Sequence, residues 1–146
     1  MTKPLSGREL AQQIAEHVPD AIVEADEAAV IVQSQSLFEV MRFVKETAEL
    51  DFDYLVSITA VDYWDYLEVV YHLVSIAHNH SLVIKTRCDD RDNPEVPSVV
   101  GLWQGADFQE REVYDLMGIR FDGHPSLRRI FLWEGFQGYP LRRDYL

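Results

Sequence analysis

Cysteine is almost missing from this chain: Cys88 is the only one in 146 residues. One thiol closes no internal disulfide, and iron–sulfur clusters are held by about four cysteines, so this chain does not carry such a cluster alone. Cys88 ends an alternating apolar run and reads as a small buried hydrophobe, because a nucleophile would need a paired histidine and a lowered pKa. There is no apolar run of about eighteen residues, the length of a membrane-spanning helix, and no basic-then-apolar leader is visible. Any membrane attachment is therefore expected through a partner. G-x-G-x-x-G after a strand, G-x-x-x-x-G-K-[ST], G-x-S-x-G and H-E-x-x-H are all missing, so no nucleotide, flavin or zinc site is signalled.

Cations are scarce: 13 Lys and Arg stand against 25 Asp and Glu, a net charge of −12. The imbalance sits in residues 1–100, with 7 Lys and Arg against 18 Asp and Glu, while residues 101–146 hold 6 against 7. An acidic body repels nucleic-acid phosphates and anionic lipid headgroups, which argues against either as a partner. Solubility is the plainer use of that acidity. The length suits one domain, and a hydrophobic content of 47% suffices for one core.

Ser6-Gly7-Arg8-Glu9 forms a capping box before a helix with the stripe Leu10, Ile14, Val18, ended by Pro19. Ala21 to Ala25 and Ala28 to Gln33 flank Asp26-Glu27 and predict a hairpin. Ser34 or Ser36 is expected to cap a helix from Leu37 to Glu49. Three strands follow, Tyr54 to Val61, Leu67 to Ala77 and Leu82 to Cys88, the middle one apolar on both faces and so central and covered on both sides. Asp89 to Pro97 reads as a solvent loop, Ser98 as the N-cap of a short helix through Trp103, and Asp107 to Met117 as a helix stopped by Gly118. On this last helix Asp107, Arg111 and Asp115 fall at i, i+4, i+8 as an acid–Arg–acid ladder, with Phe108, Val113, Leu116 and Met117 as its apolar surface. The sum is an α+β domain, a mainly antiparallel sheet of about five strands with helices packed on it.

From Ile119 to Leu146 no period of 3.6 or 2 persists, and Gly123, Pro125, Gly135, Gly138 and Pro140 interrupt the chain. Phe121, Leu127, Ile130, Phe131, Leu132, Trp133, Phe136, Tyr139, Leu141 and Tyr145 are too many apolar groups for a solvated tail. Every cation after residue 100 is arginine, which suits fixed interface ion pairs better than lysine. These features predict a body over 1–118 and an extended arm over 119–146 that docks on another protein. The arm of the isolated chain is expected to be cleaved first by a protease, and Arg128→Ala or Arg142→Ala to weaken assembly more than folding.

The run EREVYDLMGIRFDGHPSLRRI followed by GYPLRRDY resembles the signature of the 30-kDa subunit (the C subunit) of proton-pumping NADH:quinone oxidoreductase, respiratory complex I. The likeness rests on Glu110, Arg111, Glu112, Asp115, Gly118, Gly123, His124, Pro125, Leu127, Arg128, Arg129, Pro140, Leu141, Arg142, Arg143, Asp144 and Tyr145. VDYWDYLEVVYHLVSIAHNHSLVIKT and VPSVVGLW extend it over residues 52–146. The resemblance implies a cofactor-free scaffold in the hydrophilic arm of the complex. It would lie against the 49-kDa subunit and its neighbours, peripheral to the membrane on the cytoplasmic or matrix side. FMN, iron–sulfur clusters and quinone would belong to other chains, and electron transfer from NADH to quinone and proton translocation to the whole. Similar subunits occur in ferredoxin:plastoquinone oxidoreductases and membrane-bound hydrogenases, which remain alternatives. Such subunits usually continue past the final Asp-Tyr or run into the 49-kDa subunit, whereas this chain stops at Tyr145-Leu146.

Two other classes stay open, a free adaptor and an enzyme built on Asp62, Glu68, Glu110 or His124. His78 and His80 offer two imidazoles on a turn, without the further ligands a metal requires. Asp62, Asp65 and Glu68 around Tyr63 and Trp64 are expected to be solvated loop charges. Glu110 and Glu112 beside Arg111 point in different directions on a helix and cannot all serve one site. Under the resemblance Glu110, Arg111, Glu112, Asp115, Gly118, His124, Pro125, Arg128, Arg129, Arg142, Arg143 and Asp144 are architectural or interface residues. His124 reads as a hydrogen-bonding turn residue rather than a proton carrier.

Overall fold

Ser6 does what its capping-box spacing requires. In the computed structural model, which describes residues 2–133 and 136–145, its Oγ accepts the Glu9 N–H at 3.4 Å and opens helix α1, Gly7–His17. Leu10, Ala11 and Ile14 turn inward from this helix. Strands β1 (Lys3–Pro4), β2 (Ile22–Ala25) and β3 (Val30–Val32) surround it in sequence. The β2–β3 turn is held by Asp26, whose Oδ1 accepts the Ala28 and Ala29 N–H groups at 2.8 and 2.9 Å. Gly7 sits against that turn and donates its N–H to Glu27 O at 3.1 Å. A Cβ there would run into the Asp26 and Ala29 carbonyls. Gly7→Ala is therefore expected to cost about 1–3 kcal/mol, a drop of roughly 3–10 °C in a thermal melt.

A short 3-10 turn at Ser34–Ser36 feeds helix α2, Leu37–Glu46. Ser36 precedes α2 without a side-chain capping bond, contrary to expectation. α2 also stops three residues before Glu49, because Thr47 leaves the helix at ψ 122°. The Thr47 carbonyl then takes the Leu50 and Asp51 N–H groups at 3.0 and 2.7 Å. Beyond lie β4 (Tyr54–Asp62), β5 (Leu67–Ser75), β6 (His80–Cys88), β7 (Glu95–Pro97), helix α3 (Ala106–Met117) and β8 (Arg120–Asp122).

The α+β architecture is as expected. Six strands form one sheet in the order β2-β3-β6-β5-β4, with β1 beside β6 as well. The long β4–β5 and β5–β6 ladders and the β2–β3 hairpin are antiparallel, while β3 and β1 run parallel to β6. Leu55, Ile58, Val69, Tyr71, Leu73, Leu82, Ile84, Val30 and Val32 share the buried core with Leu10, Ile14, Val40, Met41 and Val113. β5 is central as predicted. Cover on its second face comes from polar side chains of β6: Glu68 lies beneath Arg87 at 3.2 Å and Lys85 at 3.8 Å, and the face opens at the exposed His72.

Two expectations fail between residues 89 and 103. Glu95–Pro97 is a strand, parallel to β8, with Val96 1% exposed; Pro97 is tolerated at the end of a two-stranded ribbon. Residues 100–102 form a turn, and no helix runs from Ser98 to Trp103. The Glu110 carboxylate accepts the Ser98 O–H and the Val99 N–H, which fixes this turn against α3. Gly118 ends α3 as predicted, at φ 77°. The body does not stop there: Ile119 and Phe121 are 0% and 2% exposed and belong to the core, so 119–122 is part of the domain rather than of an arm. Gly135 and Leu146 of the expected arm lie outside the described residues.

Candidate functional site: a clamped C-terminal strap

Asp107, Arg111 and Asp115 line up on α3, but they form no ladder. Each turns to the chain that follows the helix. Asp115, 0% exposed, uses one carboxylate oxygen, Oδ2, to accept three successive N–H groups, Ile130 at 3.0 Å, Phe131 at 2.7 Å and Leu132 at 3.2 Å. Its Oδ1 lies 2.9 Å from Arg129 Nε as a charge contact off the hydrogen-bond axis. Arg129 Nη2 donates to the Asp115 and Gly138 carbonyls at 3.0 and 2.6 Å, and the guanidinium lies over the Tyr139 ring at 4.8 Å. Arg111 reaches Arg128 O at 3.5 Å, and Asp107 Oδ1 meets His124 Nε2 at 3.0 Å.

Farther along, Arg142 donates to Met117 O at 2.6 Å and Arg91 O at 3.0 Å, while Leu141 N–H reaches Leu116 O at 3.0 Å. The ring of Tyr139 packs on Gly118 so closely that a Cβ there would lie within 2.9 Å of three ring carbons. Asp62 makes the last tie. Bidentate to Arg91 at 2.6 and 2.9 Å, it also accepts the Trp64 N–H at 2.8 Å and the Arg143 N–H at 2.9 Å. Asp144 lies 3.4 Å from the same Arg91.

The expectation that Asp62 and Glu68 are solvated loop charges is therefore corrected: both are buried and paired, and only Asp65 of that cluster is exposed. Arg142, expected to serve a partner, is spent on carbonyls of its own chain. Arg129 is spent in the same way. Arg91 went unnoticed in the sequence, although a single cation among Asp89, Asp90 and Asp92 was a usable signal.

The Arg91 guanidinium, followed by the Arg143 and Trp64 N–H groups, holds the Asp62 carboxyl well below the ordinary carboxylate range. The sign of the linkage follows. A lowered folded-state pKa stabilises the native form above the unfolded value of about 4, and that contribution is lost as pH falls below it. Asp62→Asn is expected to cost about 2–3 kcal/mol at neutral pH and to lessen the loss of stability between about pH 4 and 2, as denaturant melts across pH would show.

The remaining candidates are each tied down. Glu110, 0% exposed, accepts from Ser98 Oγ at 2.6 Å and Val99 N at 2.8 Å, and burial raises its pKa. His124 Nδ1 accepts the Ser126 N–H at 2.9 Å, so its proton sits on Nε2 facing Asp107: a turn-forming histidine, as its position suggested. His78 and His80 each turn Nε2 to a carbonyl, Ala48 at 2.8 Å and Leu50 at 3.1 Å, and so stitch the β5–β6 turn to the α2–β4 connection. Burial pushes the Cys88 thiol up to about 11, the setting of an inert thiol. Among the described residues no three His, Cys, Asp or Glu are grouped to hold a metal, and no helix is long and apolar enough to cross a membrane.

Facing outward are Arg128, Arg143, Pro125 and the large side chains of Phe108, Phe131, Trp133, Leu141 and Tyr145, with Glu112 half-buried. Of the apolar surface read for α3, Phe108 is 50% exposed while Val113 and Met117 are buried. The polar residues are thus absorbed in holding the strap, while aromatics and arginine are left outside. The sequence matches the family described as "Respiratory-chain NADH dehydrogenase, 30 Kd subunit" over residues 30–146. The chain belongs to that family.

Among relatives, the NADH-quinone oxidoreductase C subunit 2 of Rhizobium meliloti (strain 1021) is 44% identical over 120 residues, 80% of this chain and 65% of that protein. The NADH-quinone oxidoreductase C subunit of Moorella thermoacetica is 41% identical over 92% of this chain and 91% of its own length. The chain thus spans slightly less than two thirds of some curated relatives, 65% of the R. meliloti protein and 62% of the Rhizobium etli one. In Phocaeicola vulgatus a protein named as the C/D subunit of NADH-quinone oxidoreductase is 45% identical over 78% of this chain, which covers 22% of it. A solved structure, the membrane-bound sulfane sulfur reductase, an archaeal respiratory membrane complex, contains a chain with TM-score 0.75 and 28% identity, covering 94% of this chain and 84% of that one.

Proposed function

We propose that this chain is a scaffold subunit of a membrane-attached NADH:quinone oxidoreductase. It carries no FMN, iron–sulfur cluster or quinone of its own, and serves electron transfer from NADH to quinone and proton translocation by joining other subunits. The observation that carries this reading is the clamp. Asp62, Glu68, Glu110 and His124, the groups from which an active site would be assembled, are each engaged by neighbours in their own chain. What remains available is an aromatic and arginine-bearing face, the composition of an interface. The relative whose name joins C and D in one protein supports the 49-kDa-type subunit as the immediate neighbour. Attachment to the cytoplasmic or matrix side of the membrane would come through such partners.

A chain tagged at Met1 and extracted from the source membranes in mild detergent should bring down a flavoprotein, iron–sulfur subunits and membrane helices in an assembly that oxidises NADH. A lone 16.9-kDa chain would overturn the proposal. The likeness to a chain of a sulfane sulfur reductase favours one second reading, a related respiratory complex with another electron donor. Recovery of the assembly without NADH-oxidising subunits would select it.

A further inference from the structure

We infer that Arg111 and Arg128, framed by Phe108 and Phe131, form a docking patch for a carboxylate-bearing protein surface; the inference rests on reading the chain as an assembled subunit. Two contacts close the patch. Arg111 Nε lies 3.5 Å from Arg128 O, and the Phe108 and Phe131 rings meet edge to face with centroids 6.2 Å apart. Phe108 and Arg111 are neighbours one turn apart on α3. Arg128 and Phe131 have the same spacing on the strap. The rings are 50% and 58% exposed, and Trp133, two residues beyond Phe131, is 69% exposed.

Charge identifies the occupant. In a chain with 25 Asp and Glu for 13 Lys and Arg, carboxylates are plentiful. Arg8, Arg42, Arg87, Arg91 and Arg129 are all ion-paired. Among the described residues Arg111 and Arg128 have no such partner. Arg120, Arg142 and Arg143 also lack one, but it is Arg111 and Arg128 that lie three residues from the exposed Phe108 and Phe131. An external carboxylate there would neutralise cations that the chain itself leaves unpaired. Arginine's fork binds carboxylates bidentately, and flanking aromatic rings exclude water from the pair, as in interface hot spots. Nucleic acid and anionic lipid are the poorer occupants, since the whole chain carries −12. The patch is also set before docking, because Asp115 fixes the Ile130–Leu132 backbone beside it, which lowers the ordering cost of binding.

The test uses the full chain in its assembly. Arg111→Gln with Arg128→Gln should reduce the recovered assembly roughly tenfold or more at physiological salt, with the melting midpoint of the free chain within about 2 °C of the parent. Equal recovery by parent and double variant overturns the patch alone, whereas a parent that recovers no assembly overturns the subunit reading beneath it. Arg128→Lys gives a second readout that needs no loss of charge. A carbodiimide joins the lysine amine to a touching carboxylate as an amide with loss of water, and mass spectrometry should find residue 128 joined to an Asp or Glu of another subunit. Absence of any intersubunit amide at residue 128 in an intact assembly contradicts the proposal.

Discussion

Asp115→Ala is expected to release the strap and to lower the thermal midpoint by roughly 10–15 °C, the counterpart of about 3–5 kcal/mol. Three effects act together. The Ile130, Phe131 and Leu132 N–H groups lose Oδ2, their acceptor among the described residues. The Arg129 guanidinium, with its side chain 10% exposed, keeps its burial but loses its counter-charge at 2.9 Å. The strap backbone that had been fixed regains its conformational freedom, so the native state gives up order there before the sheet melts. Trypsin should cut after Arg128 and Arg129 at least about tenfold faster in the variant than in the parent. An unchanged midpoint and cleavage rate would mean that the strap is held by its aromatic contacts, Tyr139 on Gly118 foremost, and that the carboxylate is incidental.

Glu110 carries the second large effect, with a distinctive pH signature. Glu110→Ala leaves the Ser98 hydroxyl and the Val99 N–H without their acceptor and opens a void, for a loss of about 2–4 kcal/mol. Burial, the largest cause, raises the Glu110 pKa against the lowering effect of the Ser98 and Val99 hydrogen bonds. A raised folded-state pKa means that the native protein binds the proton more tightly than the unfolded chain. The resulting stability is present below the unfolded value of about 4.3 and is lost as pH rises through the folded value. Asp62 has the opposite slope, lost as pH falls. Glu110→Gln, which cannot ionise, should therefore flatten the weakly acidic side of the stability profile while leaving the strongly acidic loss governed by Asp62. A parallel profile for parent and Glu110→Gln would show that this carboxyl titrates normally.

Much of this architecture was legible. Period-2 runs announced β4, β5 and β6, the capping box announced α1, and a glycine after Met117 announced the end of α3. These are local signals, and local signals are what a sequence displays. The clamp was not legible, because its pairs are far apart: Asp62 meets Arg91 and Arg143, and Asp115 meets residues 129 to 132. Helical spacing suggested that Asp107, Arg111 and Asp115 would pair with one another. Exposed pairs of that kind contribute only tenths of a kcal/mol, so three N–H groups and a buried guanidinium prevail at Asp115. Likewise Glu95–Pro97 looked like solvent loop because two prolines flank Val96, and only the return of Phe121 beside it makes a strand. The aromatic content of the last residues did signal a surface to lie on; its first surface is the chain's own body.

That placement makes the strap a preformed platform rather than an arm that orders on contact, and amide hydrogen exchange on the isolated chain tests it most directly. The Ile130, Phe131 and Leu132 amides should exchange slowly in the free protein, become fast in Asp115→Ala, and change little when the chain enters its assembly. Fast exchange at these amides in the free protein, with protection gained only in the assembly, would contradict the platform and restore a free arm that folds on its partner.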